Sequence, residues 1–260
     1  MDGTRLDDKV TVITGGGSGM GAAIAKEFAG RGAKIAVFDL DEQKSQQVVD
    51  EIRKAGGEAV FYKTDVTEKD QIEESTKRTV EKYGRINSWI NSAGVSKMAP
   101  FLESSEELWD LTMNVNLKGT FLCCQAAVKA MLEYGGTIVN MSSLSGKKPS
   151  SWQTVYCASK YGVQGLSQSI AKEFADKGIR VNTICPGIVP TEMWAKLKYE
   201  YAKKRNMDPE EVLPYFEKNI PMHKLVDLKN VTDAAVFLST DSSSYLTGQS
   251  INLVGGELME

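Results

Sequence analysis

The chain has 260 residues, 42% of them hydrophobic, with a formal net charge of -3 at pH 7. That supplies the core of one α/β domain spanning residues 1–260, and the slightly negative balance argues against a nucleic-acid surface. A single histidine, His223, and the scattered cysteines Cys123, Cys124, Cys157 and Cys185 give neither metal-ligand spacing nor a disulfide framework, and no apolar run reaches the roughly 18 residues of a membrane span.

Residues 10–14 form a short apolar strand pattern, followed by the run Thr14-Gly15-Gly16-Gly17-Ser18-Gly19-Met20-Gly21 and a helix over about 19–29. With a strand pattern starting about ten residues in, no room is left for a secretory leader, so a cytoplasmic protein is expected. A second strand covers 34–38 with Asp39 at its end, a polar helix covers about 42–55, and a third strand covers 59–62 ahead of Asp65-Val66. Another helix spans about 69–83, and 86–90 reads as the fourth strand. Ser104-x-x-Glu107 fits a capping box, with a longer helix following over 116–133. Residues 137–141, 180–184 and 251–254 complete a seven-strand, doubly wound parallel sheet of Rossmann-like form, with helices on both faces. The stretch from Pro186 to about Pro221 breaks this rhythm. It carries Met193, Trp194, Leu197, Tyr199 and Tyr201 among many charges, and is predicted to form a substrate lid over about 190–220, with Lys203-Lys204-Arg205 as solvated helix surface.

A strand, a glycine-rich turn and a helix make an anion site, because amide N–H groups converge where the helix dipole favours negative charge. Gly15, Gly19 and Gly21 set this turn, with Gly17, Ser18 and Met20 between them, although the run taken alone also fits a flexible turn. Its spacing departs from GxGxxG and lacks the Gly-Lys-Ser/Thr ending of a phosphate-transfer loop. Asp39, about twenty residues on and beside Leu40, is placed to accept hydrogen bonds from an adenosine ribose. Its charge opposes a 2′-phosphate and no Lys or Arg lies immediately beside it, so NAD is expected rather than NADP. Asp65 and Val66 would meet the adenine, and Asn91, Ala93 and Gly94 would line the ribose and nicotinamide.

Tyr156 precedes Lys160 by four residues, and Ser143 stands thirteen residues before Tyr156. On a helix the tyrosine and lysine point the same way, so an ammonium would lower the phenol's pKa and favour proton exchange near neutrality.

With these residues in place the sequence resembles the short-chain dehydrogenase/reductase family along nearly its whole length. The resemblance lies in TGGGSGMG at 14–21, NSAG at 91–94, Asn116 within NVNLKG, Ser143 within NMSSLSG, YCASK at 156–160 and PGIVPT at 186–191. Two departures stand out: Ser92 where NNAG is usual, and Val254 where DGG is commoner. The resemblance implies that Tyr156 exchanges the proton, Ser143 donates to the developing oxyanion, Lys160 holds the nicotinamide ribose, and Asn116 steadies a water that links Lys160 to solvent. It also implies cofactor contacts from Pro186, Gly187, Val189 and Thr191, and a homotetramer or homodimer.

Val95, Ser96, Leu144, Ser145, Gln153, Met193 and Trp194, with Ser143 and Tyr156, are the candidate substrate contacts. Their mixture of apolar surface and hydrogen-bonding groups suits a small hydroxyketone, diol or polyol rather than a highly charged molecule. CPGIVPTEMW at 185–194 is similar to acetoin reductase/2,3-butanediol dehydrogenases and related polyol dehydrogenases. Reduction of a 3-oxoacyl thioester, oxidation of a steroid or other bulky alcohol, and a catalytically silent nucleotide-binding scaffold are the competing readings.

Overall fold

A computed structural model of the chain describes residues 4–259. Seven strands, β1 (Val10–Thr14), β2 (Lys34–Asp39), β3 (Glu58–Lys63), β4 (Ser88–Asn91), β5 (Gly136–Met141), β6 (Ile179–Pro186) and β7 (Ser250–Leu253), pair in the order β3-β2-β1-β4-β5-β6-β7. Every pairing is parallel. Helices α1 (Gly19–Gly30), α2 (Glu42–Lys54), α3 (Lys69–Tyr83), α4 (Glu106–Met113), α5 (Gly119–Met131), α6 (Thr154–Phe174), α7 (Glu192–Arg205), α8 (Val212–Asn219) and α9 (Leu228–Ser239) cover the sheet and its carboxyl edge.

The strands read as apolar runs because both faces of a parallel sheet are buried. All five residues of β1 are buried, and its alternate side chains enter different layers. Ile13 packs with Ile24 and Phe28 of α1 and Val231 of α9 on one face. Val12 packs with Phe38, Trp89, Ile72 and Cys123 on the other. The four cysteines are buried free thiols. Strand order reverses between β1 and β4, and the crevice beyond that reversal is where open α/β sheets bind ligands.

Three local expectations are corrected. The fourth strand starts at Ser88 rather than Ile86; Ile86 is buried in the approach to it, and Asn87 turns its side-chain oxygen to the Val10 N–H at 2.9 Å. Ser105, not Ser104, caps α4 by accepting from the Leu108 N–H at 3.2 Å. The helix expected from 116 is instead one continuous helical path from Glu106 to Met131, interrupted by a π-helical turn at Asn114–Lys118. That one-turn widening leaves the Asn116 side chain free for partners other than its own helix, a frequent use of π turns.

Candidate active site

The glycine turn closes tightly on its neighbours. Gly15 has φ +64°, and a Cβ there would stand 2.7 Å from the Ala93 Cα; a Cβ on Gly21 would stand 2.1 Å from the Gly15 carbonyl oxygen. Ser18 sits at the start of α1 in extended conformation, and its side chain makes no capping hydrogen bond. The N–H groups of that first turn are therefore available to an anion. Asp39 anchors the turn from β2: its Oδ2 accepts from the Gly17 N–H at 2.9 Å and its Oδ1 from the Asp41 N–H at 3.0 Å. Leu40 beside it is 56% exposed, available to cover a planar ring. Lys44, in the first turn of α2, lies close enough to feel the Asp39 charge, but its ammonium is paired with Glu192 in the first turn of α7.

Further along the edge, Thr14 Oγ1 accepts from the N–H groups of Ser92 and Ala93, each at 3.2 Å. Gly94 keeps the cleft open, since a Cβ there would lie 3.3 Å from Asn116 Oδ1 and 3.7 Å from Lys160 Nζ. Asn91 turns its side chain inward, accepting from Trp89 Nε1 at 2.8 Å and donating to Asn140 at 2.7 Å, so only its backbone faces the crevice. Asp65 Oδ1 is used locally by the Thr67 N–H and hydroxyl, both at 2.8 Å. Val66 is buried against Gly119. Unpaired amides at a helix start, a carboxylate at the end of β2 and a glycine-floored cleft fit a nicotinamide dinucleotide laid along the carboxyl edge of the sheet.

Ser143 follows β5, Tyr156 and Lys160 share one face of α6, and Asn116 reaches in from the π turn. The Lys160 Nζ lies 5.6 Å from the centroid of the Tyr156 ring and donates to the Met141 carbonyl at 2.9 Å. Ser142, which the sequence did not single out, ties the backbone of α6 to the end of β5 by donating to the Lys160 carbonyl at 2.9 Å. Asn116 is fully buried and clamps Val95, accepting from its N–H at 2.8 Å and donating to its carbonyl at 2.9 Å. Its amide also donates to Ser159 Oγ at 3.1 Å.

Burial pushes the Tyr156 phenol up to about 12, against the opposing pull of the Ser143 hydroxyl. Burial also pulls Lys160 down to about 8. The expected lowering of the tyrosine by its lysine is absent here: desolvation of the phenolate is the largest influence, and the ammonium is directed at the Met141 carbonyl. At neutral pH this phenol is held protonated.

Ser143 and Tyr156 open into a cavity of about 410 Å³. Of the residues singled out in the sequence, Ser96, Leu144, Ser145, Gln153, Met193 and Trp194 line it, and so do Met20, Pro186, Gly187, Val189 and Thr191. Ser96 presents a buried hydroxyl oxygen with no hydrogen-bond partner among the described residues, a ready contact for a substrate hydroxyl. Val95 does not line the cavity; the Asn116 clamp holds it aside. The lid is present as α7 and α8, joined by Leu197, Tyr201, Val212 and Phe216 in a small apolar cluster of its own. Trp194 and Phe216 meet edge to face at 5.5 Å. Contrary to expectation, Lys204 is half-buried and lines the cavity; Arg205 is exposed, as expected of helix surface, and borders the cavity's rim, as does Lys148. The spacing Leu197, Tyr201, Lys204 carries one helix face into the site and is the signal by which Lys204 was findable.

Among the described residues no helix is long and apolar enough to cross a membrane, and no cluster of three His, Cys, Asp or Glu side chains is arranged to hold a metal ion. A family model described as enoyl-(acyl carrier protein) reductase matches residues 15–257. A 2,5-dichloro-2,5-cyclohexadiene-1,4-diol dehydrogenase of Sphingobium indicum is 40% identical over 253 residues, covering 97% of each chain. D-threitol dehydrogenase of Mycolicibacterium smegmatis is 37% identical over 257 residues, 97% of this chain and 94% of that one. The crystal structure of a short-chain type dehydrogenase/reductase from Mycobacterium marinum superposes with a TM-score of 0.90 at 30% identity, covering 100% of this chain and 99% of that one. The chain belongs to the short-chain dehydrogenase/reductase family and is a nicotinamide-dinucleotide-dependent oxidoreductase of alcohols and carbonyls.

Proposed function

We propose that the protein is an NAD-dependent dehydrogenase that interconverts a secondary alcohol and a ketone, its substrate a small vicinal diol, hydroxyketone or polyol. The observation that carries this reading is the meeting of the Tyr156 and Ser143 hydroxyls on one cavity with Lys160 directly beneath the tyrosine ring. The bound nicotinamide supplies or accepts the hydride. In reduction the protonated Tyr156 donates to the carbonyl oxygen, and Ser143 stabilises the charge developing there, an interaction worth more in the transition state than before it. In oxidation Tyr156 takes the hydroxyl proton. Lys160 would hold the nicotinamide ribose and stabilise the tyrosinate, and Asn116 would steady a water that links Lys160 to solvent.

The glycine turn from Gly15 to Gly21 would bind the pyrophosphate, Asp39 the adenosine ribose, and Asp65, Val66 and Leu40 the adenine. The backbone at Asn91, Ala93 and Gly94, together with Pro186, Gly187, Val189 and Thr191, would hold the nicotinamide half. Asp39 favours NAD because its charge opposes a 2′-phosphate, and Lys44, the nearby cation, is engaged by Glu192. The diol and threitol dehydrogenases among the relatives support the substrate class, and the resemblance to acetoin reductase/2,3-butanediol dehydrogenases points the same way. A 3-oxoacyl-[acyl-carrier-protein] reductase of Thermotoga maritima, 38% identical over 253 residues, favours one second reading, 3-oxoacyl-thioester reduction. Self-association as a homotetramer, with a homodimer as the alternative, is supported by exposed Trp109, Leu111 and Phe121 on α4 and α5.

The test is a kinetic screen with NAD and NADP against acetoin, diacetyl, small diols, polyols and 3-oxoacyl thioesters. The expected result is the highest kcat/KM with NAD and a hydroxyketone, diol or polyol. Thioester reduction outrunning all of these would replace the reading by the second one.

A further inference from the structure

The outer end of the cavity has a charge that a neutral diol leaves unused. Its charged lining residues are Lys148, Lys204, Arg205 and Glu257, three cations against one carboxylate. Lys148 is paired with Glu257 at 3.3 Å, which neutralises that carboxylate. Among the described residues, Lys204 has no carboxylate at ion-pair distance. It donates to the Ser151 carbonyl at 2.8 Å and, at 3.4 Å, to the Ser150 hydroxyl on the facing wall. Among the described residues, Arg205 donates to the Tyr201 hydroxyl at 3.3 Å alone, its guanidinium lying 5.8 Å from both the Tyr201 and Tyr215 rings.

The helix dipole explains why the last turn of α7 is basic, since cations there meet the carbonyl end of the helix. It does not explain which cations enter the cavity. Lys203 and Arg205 in the same turn are exposed and Lys204 is half-buried, yet Lys204 and Arg205 line the cavity and Lys203 does not. Burial depresses Lys204, and the neighbouring Arg205 charge depresses it further. Two adjacent cations, one partly desolvated, repel each other until an anion comes between them.

We propose that the substrate carries a terminal anionic group, a phosphate or a carboxylate, in addition to the hydroxyl or carbonyl that reacts. Lys204 and Arg205 bind that group at the cavity's outer end while the reacting carbon lies against Tyr156 and Ser143. The inference rests on the oxidoreductase reading above and narrows its substrate class to an anionic polyol or hydroxyketone.

The test compares erythritol, erythritol 4-phosphate and erythronate with NAD, in wild type, Lys204→Gln/Arg205→Gln and Lys203→Gln. Charge-assisted hydrogen bonds of this kind give an expected preference in kcat/KM of roughly 10- to 100-fold for an anionic compound over erythritol. The double variant loses that preference through KM, and Lys203→Gln keeps it. A preference confined to the phosphate or to the carboxylate names the group. Equal or better use of erythritol by wild type, or an unchanged preference in the double variant, overturns the inference. Calorimetric binding of the same three compounds to the cofactor-loaded protein reads the site without turnover. Selective anion binding that the double variant loses, with none of the compounds oxidised, would uphold the anion site and count against the dehydrogenase reading instead. Binding without selectivity would overturn the site itself.

Discussion

Replacing Lys160 with Met is expected to abolish turnover while making the folded protein more stable near neutral pH. Lys160 is only 6% exposed, and burial pulls it from 10.5 to about 8. That difference corresponds to roughly 3 kcal/mol of cost for holding the ammonium in the folded chain at neutral pH. Methionine keeps the length and apolar stem of the side chain without the charge. It gives up the hydrogen bond from Nζ to the Met141 carbonyl, worth about 1 kcal/mol net, so the expected gain is about 2 kcal/mol. The sign of the pH dependence follows from the same shift. Between about 8 and 10.5 the folded wild type has released the proton and the unfolded chain still holds it, so wild-type stability rises with pH through that window. The variant lacks this rise, and its advantage narrows toward about pH 10. Urea unfolding of both proteins at pH 7 and at about pH 10 measures both effects. A variant less stable than wild type at pH 7, or a gap that does not narrow, would refute the reasoning. Function here sits on a site that costs stability, as catalytic sites commonly do.

Asp39→Ala removes the acceptor of the Gly17 and Asp41 N–H groups and the charge proposed to oppose a 2′-phosphate. The ratio of kcat/KM for NAD over NADP is expected to fall by roughly 100-fold, given a few kcal/mol of repulsion near a protein surface; steady-state kinetics with both cofactors check it. Asn116→Ala leaves the N–H and carbonyl of Val95 without their side-chain partner, at about 2 kcal/mol, and would break the proposed proton route. Its expected mark is a kcat that falls much further than KM rises, with a loss of about 2 kcal/mol in stability by urea unfolding. With the Tyr156 phenol pushed up to about 12, alcohol oxidation, which needs the phenolate, gains with pH from about 7 to 10, while carbonyl reduction shows no such gain. An oxidation profile flat across that range would contradict the assignment of Tyr156.

Much of the sheet was legible because parallel strands buried on both faces are short apolar runs, as in β1 and β2, separated by helices with polar outer faces. Where hydrophobicity misled, burial and strand pairing had come apart. Ile86 is as buried as a strand residue, yet the ladder from β4 to β1 begins only at Ser88 opposite Thr11. Adjacent serines offered two caps for α4; the spacing to Glu107 singled out Ser104, whereas the backbone placed Ser105 in range of the Leu108 N–H. The π turn at Asn114–Lys118 left no mark in residue spacing, so one long helical path read as two helices.

The proximity of Tyr156 and Lys160 was legible from four-residue spacing, and the structure puts the ammonium 5.6 Å from the ring. Spacing says nothing of desolvation, which decides the direction of both pKa values. Lys204 shows the same limit. Its charge suggests water, whereas its place on the face of Leu197 and Tyr201 takes it into the cavity.

Tyr156→Phe tests the central claim most directly, because it deletes one oxygen and leaves the ring to pack as before. With the best substrate from the kinetic screen and saturating NAD, kcat is expected to fall by roughly 100- to 10,000-fold while NADH binding, followed by fluorescence, stays within a few-fold of wild type. Turnover within about tenfold of wild type would contradict the account, since the proton would then be passing through some other group.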